Sequence, residues 1–222
     1  MDRVESNIAQ VLSALPPDVA SRDRRFILGI AGPPASGKST LAAALRDALD
    51  AGPATDGAAG IAAVAALDGF HYDDRVLLAR GHRSRKGAPF TFDTEGFVAM
   101  LERLAAPSRE AVAVPVFDRD LKLSRAAAAV VEPHHRVVIT EGNYLLLDDG
   151  RWRGVPALLD FTVFLDVSPD ELRQRLMQRW IGHGYGPAEA REKMETNDLV
   201  NARLVAASSV APDLRLGSRS PN

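Results

Sequence analysis

The sequence contains no cysteine. Disulfides and thiolate metal sites are thereby excluded, and a reducing compartment is allowed. Lysine is nearly as scarce, with four residues against 23 arginines. Arginine suits bidentate contacts to phosphate, but in a chain this rich in alanine codon usage accounts for most of the bias. No charge sign dominates, since the formal net charge is −2. Bulk electrostatics therefore gives no reason to expect a nucleic-acid or membrane surface. Long apolar runs are missing too. None approaches membrane length, and the N-terminus lacks the apolar stretch of a signal peptide. The expectation is a cytoplasmic protein with no membrane insertion. At 46% hydrophobic and 25% charged residues over a length of 222, the chain suits one sizeable core and a single α/β domain spanning 1–222.

Against these absences stands one stretch, Gly32-Pro33-Pro34-Ala35-Ser36-Gly37-Lys38-Ser39-Thr40. It fits the phosphate-binding pattern G-x-x-x-x-G-K-[ST], and its surroundings fit as well. The apolar run 26–30 before it reads as a strand, and Leu41, Leu45 and Leu49 after it recur at helical spacing. Gly32, Pro33, Ala35, Ser36, Gly37, Lys38, Ser39 and Thr40 are thus the expected nucleotide-binding residues. Backbone N–H groups of the turn and the helix N-terminus take phosphate oxygens. Lys38 reaches the β- and γ-phosphates and the Ser39 hydroxyl binds Mg²⁺, so ATP with Mg²⁺ is the expected pair.

The rest of the chain alternates strands and helices. Residues 3–15 place Val4, Ile8, Val11, Leu12 and Leu15 on one helical face, ended by Pro16-Pro17. Residues 51–60 read as a plain surface loop. The run 61–67 suits a buried parallel strand ending at Asp68, where a carboxylate faces the ligand crevice of an open sheet. Asp68 can there take a proton from an attacking hydroxyl, or simply cap the next segment. Helices are expected over 73–80 and 94–104. Between them, the basic loop 81–87 leads to Phe90, Phe92 and Asp93, which can line a small-molecule pocket. Residues 111–117 and 126–131 suit a small accessory hairpin, since Pro115 interrupts the first.

The strand expected over 136–140 ends at Glu141, in the place where an aspartate commonly helps to hold Mg²⁺. A strand over 161–167 leads to a helix capped by Ser168 and opened by Pro169. On that helix Arg175 and Arg179 lie one turn apart, so either they clamp the transferring phosphate, which would relieve their repulsion, or they form a solvated basic face paired with Asp170 or Glu171. Glycines at 182, 184 and 186 then allow hinging, which makes residues 173–187 a candidate helical lid. A long helix over 188–209 carries Asn197, Asp198 and Asn201, read as exposed. A last strand is expected at 214–216, and 217–222 reads as a flexible tail. The alternation gives a three-layer α/β/α fold of the P-loop NTPase kind, with a mainly parallel sheet.

Several stretches, in order, carry a family resemblance. They are the phosphate loop, Leu67-Asp68-Gly69-Phe70-His71, Arg85-Lys86-Gly87-Ala88-Pro89 with Phe92-Asp93, Pro115-Val116-Phe117-Asp118, Glu141-Gly142-Asn143-Tyr144 and the arginine helix. Together they resemble the phosphoribulokinase, uridine kinase and bacterial pantothenate kinase family over residues 26–216. Within it, the chain most resembles the branch labelled fructose transport system kinase, or nucleoside/nucleotide kinase family protein. The resemblance implies Asp68 as general base, Ser39, Glu141 and Asp68 around the metal, and Lys38, Arg179 and Arg175 around the phosphates. It implies Asp93 as a carboxylate that holds an acceptor sugar. Phe117 falls where those kinases carry a pocket tyrosine, Arg119 near a substrate histidine, and Asn201 near an asparagine that contacts pantothenate. His71 and Lys86, in the matching stretches, complete the acceptor candidates. The expected reaction is transfer of a γ-phosphate from ATP to a small-molecule alcohol such as a fructose-type sugar. A nucleoside or a pantothenate-like acceptor remains open, as does an ATPase switch with no acceptor.

Overall fold

The computed structural model describes residues 3–52 and 60–217. Most of the expected loop 51–60, and the tail from 218 on, lie outside the described residues. Five strands form the main sheet: β1 (Phe26–Ala31), β2 (Ala62–Val64), β5 (Val137–Glu141), β6 (Phe161–Asp166) and β7 (Leu214–Gly217). Their order is β2-β5-β1-β6-β7 and every pairing is parallel. Strands β3 (Val112–Asp118) and β4 (Leu123–Val131) make a separate antiparallel hairpin, as the interrupted apolar runs imply.

Alternation along β1 sorts the core into two layers. Phe26, Leu28 and Ile30 face a cluster built with Val11 of α1 (Arg3–Ala14) and with Leu41 and Leu45 of α2 (Lys38–Asp50). Ile27 and Ala31 face the opposite cluster, with Phe97, Leu101 and Leu104 of α4 (Thr94–Ala105) and Val205 of α7 (Leu199–Ser208). A period of two in β1 thus meets helices on both sides, which gives three layers. A third cluster joins Leu172 and Leu176 of α5 (Pro169–Gly182) to Met194, Leu199 and Ala202. Leu12 does not share the packed face of α1, because that helix buries only Val11 fully.

Two elements differ from expectation in ways that matter for the site. The strand expected over 61–67 ends at Val64. Ala65 still donates to Ile139 O, but the chain then turns into a 3₁₀ segment over Leu67–Phe70. Leu67 is buried against Gly142, where an added Cβ would stand 2.6 Å from its side chain. Asp68 therefore projects from a tight turn rather than from the strand itself. The helix expected over 188–209 is divided into α6 (Pro187–Lys193), a π-helical turn (Met194–Asp198) and α7. Such turns are often found at functional sites.

Arg25, just before β1, is fully buried. Its guanidinium donates to the carbonyls of Arg109 (2.9 Å), Glu110 (2.7 Å) and Glu132 (3.3 Å), and more weakly to Leu104. It thereby ties the end of α4 to both ends of the hairpin. Arg25→Ala takes the guanidinium donor away from those carbonyls and opens a void, so unfolding in urea should show a loss of about 3 kcal/mol. A loss below about 1 kcal/mol would mean that water replaces the guanidinium freely.

Candidate active site

The phosphate loop joins β1 to α2. Gly32 has φ 148° and Gly37, the residue before α2, has φ 98°. Both values favour glycine. At Gly32 space forbids a side chain as well, because a Cβ would lie 2.7 Å from Leu165 O on the neighbouring strand. The loop thus folds tightly enough to present its backbone as a cradle at the N-terminus of a 13-residue helix. Lys38 is 7% exposed, and its Nζ donates to Pro33 O at 2.9 Å and to Ser36 Oγ at 3.4 Å. Burial pushes its amine down to about 8, while the charges of Glu141 and Asp68 pull the other way.

A charged lysine held below its unfolded value near 10.4 costs stability while it stays protonated in the fold. Lys38→Met should therefore stabilise the nucleotide-free protein by up to about 3 kcal/mol at pH 7. The advantage should shrink as pH rises from about 8 towards 10, where the folded wild type sheds the proton before the unfolded chain does. Thermal unfolding of both proteins across that window checks the sign.

Parallel register brings the next group in. Ile30 of β1 lies beside Glu141 of β5, so the end of β5 stands level with the start of the phosphate loop. Ser39 Oγ donates to Glu141 Oε1 at 2.7 Å. Glu141 is 6% exposed, and burial pushes its carboxyl up, against the pull of Lys38. A hydroxyl, this carboxylate and Asp68 offer hard oxygen donors on one cleft. That donor set fits Mg²⁺, which takes one or two carboxylates and fills its other positions with water and phosphate.

The cleft is about 770 Å³ and runs from the phosphate loop past the turn of Asp68 to the π-helical turn. The Asp68 side chain is 40% exposed, and Arg119 Nη2 lies 3.7 Å from its Oδ2. His71 Nδ1 meets the carbonyl of Asp68 at 2.9 Å and so carries the proton on that nitrogen. Burial pushes the His71 imidazole down. Its ring packs against Phe92 at 4.1 Å and Phe117 at 5.0 Å, giving the cleft an aromatic floor. Lys86 Nζ reaches over the Phe117 ring at 5.3 Å and donates to Asp74 Oδ1 at 2.7 Å.

The two helix arginines part company. Arg179 lines the cleft. Arg175 does not. Its Nη1 donates to the carbonyls of Ala35 (3.3 Å) and Ser36 (3.0 Å), and its Nη2 to Glu171 Oε1 (2.5 Å). The structure thus does not bring both guanidinium groups together: Arg175 braces the loop through its backbone. Asp93 also stands apart. Its carboxylate accepts from Gly96 N at 3.0 Å and caps α4, and it is not among the residues lining the cleft.

Asn197, Asp198 and Asn201 all line the cleft, although the sequence reads them as exposed. Asp198 is buried and accepts from Trp180 Nε1 at 2.6 Å. Burial pushes its carboxyl up, while Trp180, Arg179 and Lys193 pull it down. Lys193 Nζ stands over the rings of Trp180 (5.5 Å) and Tyr185 (4.7 Å). This cluster ties the end of α5 to the π-helical turn beside Arg179. Sequence reasoning missed it. The one available signal was a run of polar residues in the middle of the helical stretch.

The comparisons agree with this geometry. The model of the Phosphoribulokinase / Uridine kinase family matches residues 27–188. The chain belongs to that family and is a P-loop kinase. A crystal structure of a candidate fructose transport system kinase from Silicibacter sp. TM1040 is 40% identical, with a TM-score of 0.84 over 97% of this chain and 98% of that one. A candidate uridine kinase of Schizosaccharomyces pombe is 32% identical over 90% of this chain and 86% of its own length. The ATP-dependent kinase YFH7 of Zygosaccharomyces rouxii is 27% identical over 70% of this chain, which matches half of that longer protein. Among the described residues, no helix is long and apolar enough to cross a membrane.

Proposed function

We propose that this kinase transfers the γ-phosphate of ATP to a hydroxyl of a small metabolite, in the first place a sugar. The observation that supports it is the convergence of Lys38, Ser39, Asp68, Glu141 and Arg179 on one cleft that also holds an aromatic floor. Lys38 and the loop N–H groups hold the phosphates. Ser39 and Glu141 would hold Mg²⁺, which would supply positive charge to the phosphate oxygens. Asp68, half-open to the cleft, takes the proton of the attacking hydroxyl. Arg179 meets the charge that spreads over the transferring group. His71, Phe92 and Phe117 give an apolar face against which an acceptor's carbon skeleton packs. Closure of residues 173–187 would exclude water.

A sugar acceptor follows the likeness to the candidate fructose transport system kinase. A nucleoside is the second reading, favoured by the likeness to the candidate uridine kinase and by the three rings, against which a planar base can stack. The test is ATP consumption with and without a panel of fructose, other sugars, nucleosides and pantothenate. Turnover should rise many-fold with the right member. Steady turnover that no member raises would instead favour an ATPase switch.

A further inference from the structure

Ser168-Pro169-Asp170-Glu171 opens α5 in the pattern of a capping box, whose acidic member ordinarily reaches back to the N–H of the first residue. Ser168 Oγ accepts from Glu171 N at 3.4 Å. The Glu171 carboxylate serves a different purpose. Its Oε1 accepts from Arg3 Nη1 at 2.7 Å and from Arg175 Nη2 at 2.5 Å. Arg3 is the first residue of α1 and lies 168 positions away in the chain. Arg175 is the residue whose other terminal nitrogen donates to the Ala35 and Ser36 carbonyls. It also stands over Gly37, where an added Cβ would lie 3.9 Å from Nη1. A continuous line of charged hydrogen bonds thus runs from α1 through Glu171 and Arg175 to the phosphate loop.

Two guanidinium groups meet on one carboxylate oxygen. They repel each other, and the carboxylate between them is what makes their approach favourable. The hydrogen bond from Arg3, with the charge of Arg175 beside it, holds the Glu171 carboxyl below its usual range. α1 is itself held in place, because Val11 packs with Leu41 and Leu45 of α2, the helix that follows the loop. α1 therefore meets both helices next to the loop, α2 through its apolar face and α5 through Arg3. Arg3, Glu171 and Arg175 are not among the residues lining the cleft, so they act on a ligand only through the loop.

We propose that Glu171 is a positioning residue, and that Arg3, Glu171 and Arg175 form a relay through which α1 sets how tightly the phosphate loop holds a nucleotide. This rests on ATP occupying the loop, as in the kinase reading above. The relay fixes the Arg175 guanidinium on the carbonyls of Ala35 and Ser36 and so keeps the loop's N–H groups turned towards the phosphates. The sign of the effect distinguishes this from charge alone. Removing a carboxylate from beside the loop would by itself favour an anionic ligand. Losing the brace disfavours it.

The test is calorimetric titration of the full chain with ATP and with ADP, each with Mg²⁺. Glu171→Gln should weaken both by about fivefold, the size that half-exposed ion pairs allow. Arg3→Ala should weaken both by about threefold on its own and by less than about 1.5-fold when Glu171→Gln is already present, because the two side chains act in one line. In steady-state turnover the loss should appear in the KM for ATP rather than in kcat. Ser168→Ala removes the cap of α5 but leaves the relay, so it should lower Tm while both Kd values stay within about 1.5-fold. Nucleotide bound as tightly, or more tightly, by Glu171→Gln overturns the proposal. So do losses that simply add in the double variant, a loss confined to kcat, or a Ser168→Ala variant that weakens binding as much, which is what a merely structural role does. A wild type that binds neither nucleotide contradicts the kinase reading, and the relay with it.

Discussion

Asp68→Asn should lower kcat by roughly a thousandfold while the Kd for ATP stays within about threefold. The carboxylate sits in a turn that Leu67 pins beneath Gly142, so the amide can occupy the same place without moving the chain. What it cannot do is accept a proton. The nucleotide contacts lie elsewhere, on the loop between β1 and α2. A variant with unchanged turnover would remove Asp68 from the reaction. A variant that loses ATP as well would make it a nucleotide or metal residue first. The Arg119 guanidinium lies 3.7 Å from the same carboxylate.

The second large effect separates the two arginines of α5. Arg179→Ala should lower kcat by about a thousandfold with a modest change in the KM for ATP, as loss of a charge that meets the transition state does. Arg175→Ala should act on the KM for ATP instead. Its guanidinium supports the Ala35 and Ser36 carbonyls and so holds the loop in the shape that receives phosphate. Steady-state kinetics of both variants side by side shows the split. Equal losses in kcat would mean that α5 turns on closing and brings both groups to the phosphate.

The same pair shows where sequence reasoning reaches its limit. Spacing of four puts Arg175 and Arg179 on one helical face, and it does not say what that face meets at each end. The phosphate loop was legible because its chemistry depends on local spacing alone. Glu141 was legible because a carboxylate ending a buried strand has few places to go, and parallel register set it beside Ser39. An aspartate before a helix serves equally as a cap, and Asp93 caps here. The bond of Trp180 to Asp198 joins residues 18 apart across a broken helix, and the π-helical turn that permits it left no signature. Arg85 was visible only as part of a basic loop. Its hydrogen-bond partners, Asn197 and Asn201, lie 112 and 116 residues away.

The alternation of strands and helices fixed the fold class, and the five parallel strands follow it. The hairpin β3–β4 was also legible, from a proline inside an apolar run. The shortened β2 was not, since the apolar residues up to Leu67 are buried whether they extend a strand or turn beneath Gly142.

The most direct test of the central claim is the fate of an isotopic label placed on the γ-phosphate of ATP, followed by mass spectrometry of the acceptor. The account predicts an acceptor, neutral or anionic, heavier by one labelled phosphoryl group on a carbon-bound hydroxyl, with the product nearly absent when Asp68→Asn replaces the wild type. Label found only in free phosphate, with every acceptor unchanged, would contradict it.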